Sequence, residues 1–65
     1  MKLLQILRYF KSVHMPLCEV MEQINEIVDN NRSEYFMLND LDIELITEKF
    51  YDDEVFESIL NLAGY

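Results

Sequence analysis

NDLDIELITEKFYDDEVFESILNL, residues 39–62, sets eight carboxylates (Asp40, Asp42, Glu44, Glu48, Asp52, Asp53, Glu54, Glu57) against one base, Lys49. Large apolar side chains are threaded between them. At 100° per residue the stretch divides into two helices. Over Leu41 to Phe50, Ile43, Ile46 and Phe50 form one apolar stripe. Leu41 and Leu45 form a second, well separated around the axis, with Glu44 and Glu48 beside it. Two stripes imply two neighbours. One is the domain core; the other is a further helix of the same chain or a partner protein. Asn39 or Asp40 is expected to cap this helix, and acid in its first turn suits the helix dipole. In the next helix Asp52 is the expected cap, with Asp53 and Glu54 in the first turn. Val55, Phe56, Ile59, Leu60, Leu62 and Ala63 are expected on its inner side, with Asp53, Glu54, Glu57, Ser58 and Asn61 outside. Gly64 sits where a left-handed glycine closes a helix, so this helix is read as complete, with no tail after it.

Upstream, the same period predicts two more helices. In Lys2 to Val13, an arc of about 120° holds Leu3, Ile6, Leu7, Phe10 and Val13, with Leu4 and Tyr9 flanking it. Pro16 disfavours the helical region for Met15, so this helix should end by then, and Pro16 suits the first position of the next. Leu17 to Asp29 follows, with Leu17, Val20, Met21, Ile24, Ile27 and Val28 on one arc. Glu19, Glu22, Glu26 and Asp29 lie opposite. Their i,i+3 and i,i+4 repulsions cost a few tenths of a kcal/mol per pair, with no lysine to relieve them. That acidic face is a solvated surface or a stripe kept for a basic partner. Asn30 to Ser33 is rich in turn formers. Tyr35 to Leu38 follows neither period; a helical turn capped by Ser33 is preferred to a strand, because no second strand exists to pair with it.

Sixty-five residues make one domain. A chain this short leaves about 40% of its unfolded surface exposed and is marginally stable. One cysteine, Cys18, excludes an internal disulfide. Stability therefore rests on packing, and 51% apolar residues suffice for that. One glycine and one proline are too few for a sandwich or barrel of short strands. The expected fold is all-α, a compact bundle of three to four short helices.

The net charge of −8 is uneven: +3 over residues 1–14, −3 over 15–33 and −8 over 34–65. Nucleic-acid affinity comes largely from Lys and Arg displacing counterions, so direct nucleic-acid binding is not expected. Anionic membranes are disfavoured likewise, and no apolar run nears the ~18 residues of a membrane span. Basic protein surfaces are favoured, through faster encounter above all. The opening MKLLQILRYFK is interrupted by Arg8 and Lys11 too early for a secretory signal. A reducing, cytoplasmic compartment is the expectation, with a basic amphipathic presequence the weaker alternative.

No constellation points to catalysis. Cys18 lies in the first turn of its helix, where the dipole would lower its pKa and Glu19 and Glu22 would raise it. His14 and Cys18 are two soft ligands, and a zinc site wants three or four protein ligands. Asp40 and Asp42 alternate as in calcium loops, but the places of the required glycine and glutamate hold Leu45 and Tyr51. No cofactor is expected. The carboxylates sit where caps and first turns want them, and acid–base work would need a sheltered pocket.

ILRYFKSVHMPLCEVMEQI, a helix, a proline break and a second helix, loosely resembles the start of helix-turn-helix and winged-helix domains. In that likeness the following helix would read DNA. Here it is the acidic Leu41 to Phe50, so the resemblance implies a domain used for protein contacts. The expected function is a small acidic regulator or inhibitor that docks on a larger protein with a basic surface. A nucleic-acid mimic is the special case. The contact set is Leu41, Glu44, Leu45, Glu48, Asp52, Asp53, Glu54 and Glu57, with Tyr35, Phe36 or Tyr51 as further anchors. The alternative is a homo-oligomer, a dimer in the simplest case, whose second apolar stripe is buried by its own copy.

Overall fold

A computed structural model describes residues 2–65. Four α-helices follow in order: α1 (Leu3–Ser12), α2 (Leu17–Asn30), α3 (Asp40–Glu48) and α4 (Val55–Ala63). There is no strand among the described residues. α3 packs against both α2 and α4, and α1 lies on α4. The radius of gyration, 10.6 Å, matches the ~11 Å of a compact chain of this length.

The buried apolar residues form one cluster. Leu3, Leu4 and Leu7 enter it from α1, Val20, Ile24 and Val28 from α2, Ile43 and Ile46 from α3, and Phe56 and Leu60 from α4. Tyr35, Leu38 and Phe50 join from the connections. The largest members are Phe50 and Phe56, whose ring centroids lie 5.1 Å apart. On α1 the buried arc is rotated from the expected one. Leu4, read as a flank, is buried, and Val13, read as core, is exposed. The cause is the neighbour: α1 rests on α4, and the Leu4 N–H donates to the Tyr65 main-chain oxygen at 3.1 Å.

The helix ends show how the turns are made. Asn39 caps α3 in a reciprocal box: the Asp42 N–H donates to Asn39 Oδ1 at 2.8 Å, and the Asn39 N–H to Asp42 Oδ2 at 3.4 Å. The expectation for α4 is corrected. Asp52 does not cap it; the helix begins at Val55 without a side-chain cap. The turn after α3 is occupied instead by a main-chain bond from Asp53 N–H to the Lys49 carbonyl. Pro16 likewise stands one residue before α2, with an extended ψ of 143°, and its carbonyl accepts the Val20 N–H at 2.9 Å. Proline's fixed φ serves that place as well as the first helical one.

α1 and α4 end alike. In α4, Gly64 is left-handed (φ 81°), its N–H donates to the Asn61 carbonyl, and the Tyr65 N–H to that of Leu60. In α1, His14 takes the glycine's place at φ 55°, with matching bonds from His14 to Lys11 and from Met15 to Phe10. Both are Schellman closures. A side chain with a Cβ is strained there, by roughly 1–2 kcal/mol. Stacking of the His14 ring on Tyr51 returns part of that. His14→Gly should therefore raise stability by up to about 1 kcal/mol, read as a higher urea midpoint at unchanged slope. A lower midpoint would refute the strain.

Residues 31–37 form turns rather than a strand, with Tyr35 N–H bonded to the Asn31 carbonyl and Leu38 N–H to that of Tyr35. The expected helical turn capped by Ser33 is not formed over Tyr35 to Leu38: the bond of helical spacing closes earlier, from Asn31 to Tyr35, and a tighter turn follows. Tyr35 is only 4% exposed, so it is core and not a contact anchor. Burial, then the Glu34 carboxylate, then Tyr65 push its hydroxyl pKa above 10. A raised folded-state value means stability is fully present below the unfolded value near 10. It is lost as pH rises through the folded value. Thermal midpoints should thus hold below the unfolded value near 10 and fall above it, and Tyr35→Phe should lessen that fall. An identical alkaline profile for both proteins would refute it.

Candidate functional site

The outer face of α3 is the first candidate. Leu41, Glu44, Leu45 and Glu48 follow the i, i+3, i+4, i+7 spacing of one helical stripe. All four are exposed. Leu41 is 75% and Leu45 41% open to solvent, so no helix of the chain covers the second stripe. The inner face, by contrast, buries Ile43, Ile46 and Thr47, whose hydroxyl donates to the Ile43 carbonyl at 2.9 Å.

Asp52, Asp53 and Glu54 are exposed in the turn between α3 and α4. They continue the acidic surface past the C-terminal end of α3. Glu57 differs from them: it is half-buried, and its Oε1 accepts from Arg8 Nε at 2.6 Å. The structure commits it to holding α1 against α4. Tyr51 is likewise engaged, donating its hydroxyl to the Met15 carbonyl at 2.6 Å. Apart from Arg8–Glu57, the one ion pair among the described residues is Arg32–Asp29, at 2.7 Å within exposed surface. Both pairs are solvent-facing and contribute at most about 1 kcal/mol. Most of the thirteen carboxylates thus face water without a counter-charge from the chain.

A second candidate was not legible in the sequence. Leu62, expected on the inner side of α4, is 90% exposed. At 100° per residue it lies about 120° round the axis from Phe56, at the very edge of the apolar arc. That angle was the available signal. Leu62 borders an open groove of about 270 Å³ lined by Met37, Leu38, Asp42, Ile59, Leu62 and Ala63. Phe36, next to Met37, is 73% exposed.

Cys18 is a free, exposed thiol. Among the described residues no three His, Cys, Asp or Glu side chains gather closely enough to hold a metal ion. No helix is long and apolar enough to cross a membrane. The connection between α2 and α3 runs over residues 31–39, against the three- to four-residue turn of a helix-turn-helix pair.

No protein-family model, no curated protein and no solved structure matches this chain.

Proposed function

We propose that this protein is a non-enzymatic interaction module that docks on a larger protein with a basic surface. The contact is the outer face of α3 and the acidic turn after it. One observation carries the reading: Leu41 and Leu45 stand uncovered on a helix whose other face is core, with Glu44 and Glu48 beside them. Scattered surface leucines are ordinary. An i,i+4 pair between unpaired carboxylates matches a partner groove that is apolar in the middle and basic at the rim. The leucines would supply affinity, and Asp52, Asp53 and Glu54 would speed encounter. Self-association through this face is disfavoured, because a two-fold interface sets each copy's Glu44 and Glu48 near those of the other. The lone exposed thiol fits a reducing, cytoplasmic setting.

The test is affinity capture from native lysate at low and at physiological salt, with three baits: the natural chain, Leu41→Ser/Leu45→Ser, and Asp52→Lys/Asp53→Lys/Glu54→Lys. A regulator of the proposed kind holds one protein at both salts, and the leucine variant loses it. A nucleic-acid mimic instead loses its partner steeply with salt and altogether on charge reversal. Equal capture by all three baits would reject both.

A further inference from the structure

The groove beside Leu62 is a second surface with its own chemistry. Its walls come from three places: Met37 and Leu38 before α3, Asp42 in the first turn of α3, and Ile59, Leu62 and Ala63 at the end of α4. Five of the six lining residues are apolar, and the sixth is a carboxylate. The groove is held in shape. The Met37 N–H donates to the Tyr65 hydroxyl at 3.2 Å, and Tyr65 is fixed by the closure of α4. Asp42 is fixed by the capping box. A prearranged site loses less entropy on binding.

We propose that this groove docks a short basic segment of a partner protein. One aliphatic or aromatic side chain sits among Met37, Ile59, Leu62 and Ala63, and a neighbouring Lys or Arg meets Asp42. The volume, about 270 Å³, falls below the range typical of small-molecule sites and suits a side chain. The charge of the occupant follows from the wall. Among the described residues Asp42 makes no ion pair, and Arg8 and Arg32 pair with Glu57 and Asp29. A second copy meeting this groove face to face is the wrong occupant, because it sets the same carboxylate at the same place. Met37 adapts to side chains of different shape, as methionine does at binding surfaces. The inference shares the basic-partner chemistry proposed for α3 but uses a separate surface.

The test is a nuclear magnetic resonance titration of the full nitrogen-15-labelled chain. Three synthetic peptides serve as probes: an amphipathic Leu–Lys helix, its Leu–Glu counterpart, and oligolysine. The Leu–Lys peptide should move the amide signals of Met37, Asp42, Ile59, Leu62 and Ala63 saturably. The other two should leave them in place. Leu62→Ser should weaken that binding roughly tenfold, the loss of one anchor. Asp42→Asn, which keeps an oxygen for the Asn39 N–H, should weaken it about three- to tenfold. Shifts confined to residues 41, 44, 45, 48 and 52–54 would sink the groove and leave the α3 face standing. Shifts at neither surface would sink both. Groove shifts that grow with protein concentration in the absence of peptide would identify a second copy and overturn the assignment.

Discussion

Phe50→Ala is expected to leave the chain unfolded or nearly so at 25 °C. Phe50 is fully buried just beyond α3, with its ring 5.1 Å from that of Phe56 and 5.0 Å, edge-on, from that of Tyr51. It therefore joins the end of α3 to α4, and through Tyr51 to the turn before α2, where the Tyr51 hydroxyl meets the Met15 carbonyl. Truncating a buried phenylalanine costs about 3–5 kcal/mol in lost transfer energy and cavity. A single core in a chain this short rarely supplies more than about 3–5 kcal/mol. The two magnitudes are equal, so nothing remains. Far-ultraviolet circular dichroism should show most helical signal gone. The control is Leu41→Ala in α3, which faces water and should change stability by no more than about 0.5 kcal/mol. A Phe50→Ala protein melting within a few degrees of the natural chain would contradict this account of the core.

The second large effect is expected at Tyr65→Ala. Tyr65 makes four separate connections. Its N–H closes α4 on the Leu60 carbonyl at 2.7 Å, and its main-chain oxygen accepts the Leu4 N–H at the start of α1. Its ring meets that of Tyr35 edge-on at 4.9 Å, and its hydroxyl accepts the Met37 N–H. α1 has no side-chain N-cap, so the bond to Leu4 satisfies one of its unpaired donors. Alanine keeps the two main-chain bonds and loses the ring and the hydroxyl. The aromatic pair contributes about 0.5–1.5 kcal/mol beyond burial, the partly buried ring about 1–2, and the hydrogen bond about 1. The expected cost is about 2.5–4.5 kcal/mol, against about 1 for Tyr65→Phe. Denaturant midpoints would rank the two variants. Hydrogen exchange should show Met37 losing protection in both and Leu4 in neither until the protein unfolds globally. Equal costs for the two substitutions would mean that the ring does not pack as described.

Both predictions turn on residues outside the regular helices, where periodicity is silent. Within the helices, periodicity worked well. The 3.6-residue repeat placed Val20, Ile24 and Val28, Ile43 and Ile46, and Phe56 and Leu60 correctly inside. It misplaced Val13, Leu17 and Leu62, which are exposed. Val13 and Leu62 sit at the edges of their arcs. Leu17 sits at the centre of its arc but in the first turn of α2, where no neighbour reaches it.

An all-α fold of three to four short helices, their approximate bounds and an acidic surface follow from the order of residues alone, because helical spacing and charge are local properties. How far each helix is turned toward its neighbours, and how many neighbours it has, depends on the whole assembly. Tertiary packing alone therefore decided that Leu4 is core, that Tyr35 points in while Phe36 points out, and that the Leu41–Leu45 stripe stays uncovered. Angle around one axis is written in one segment; burial takes two.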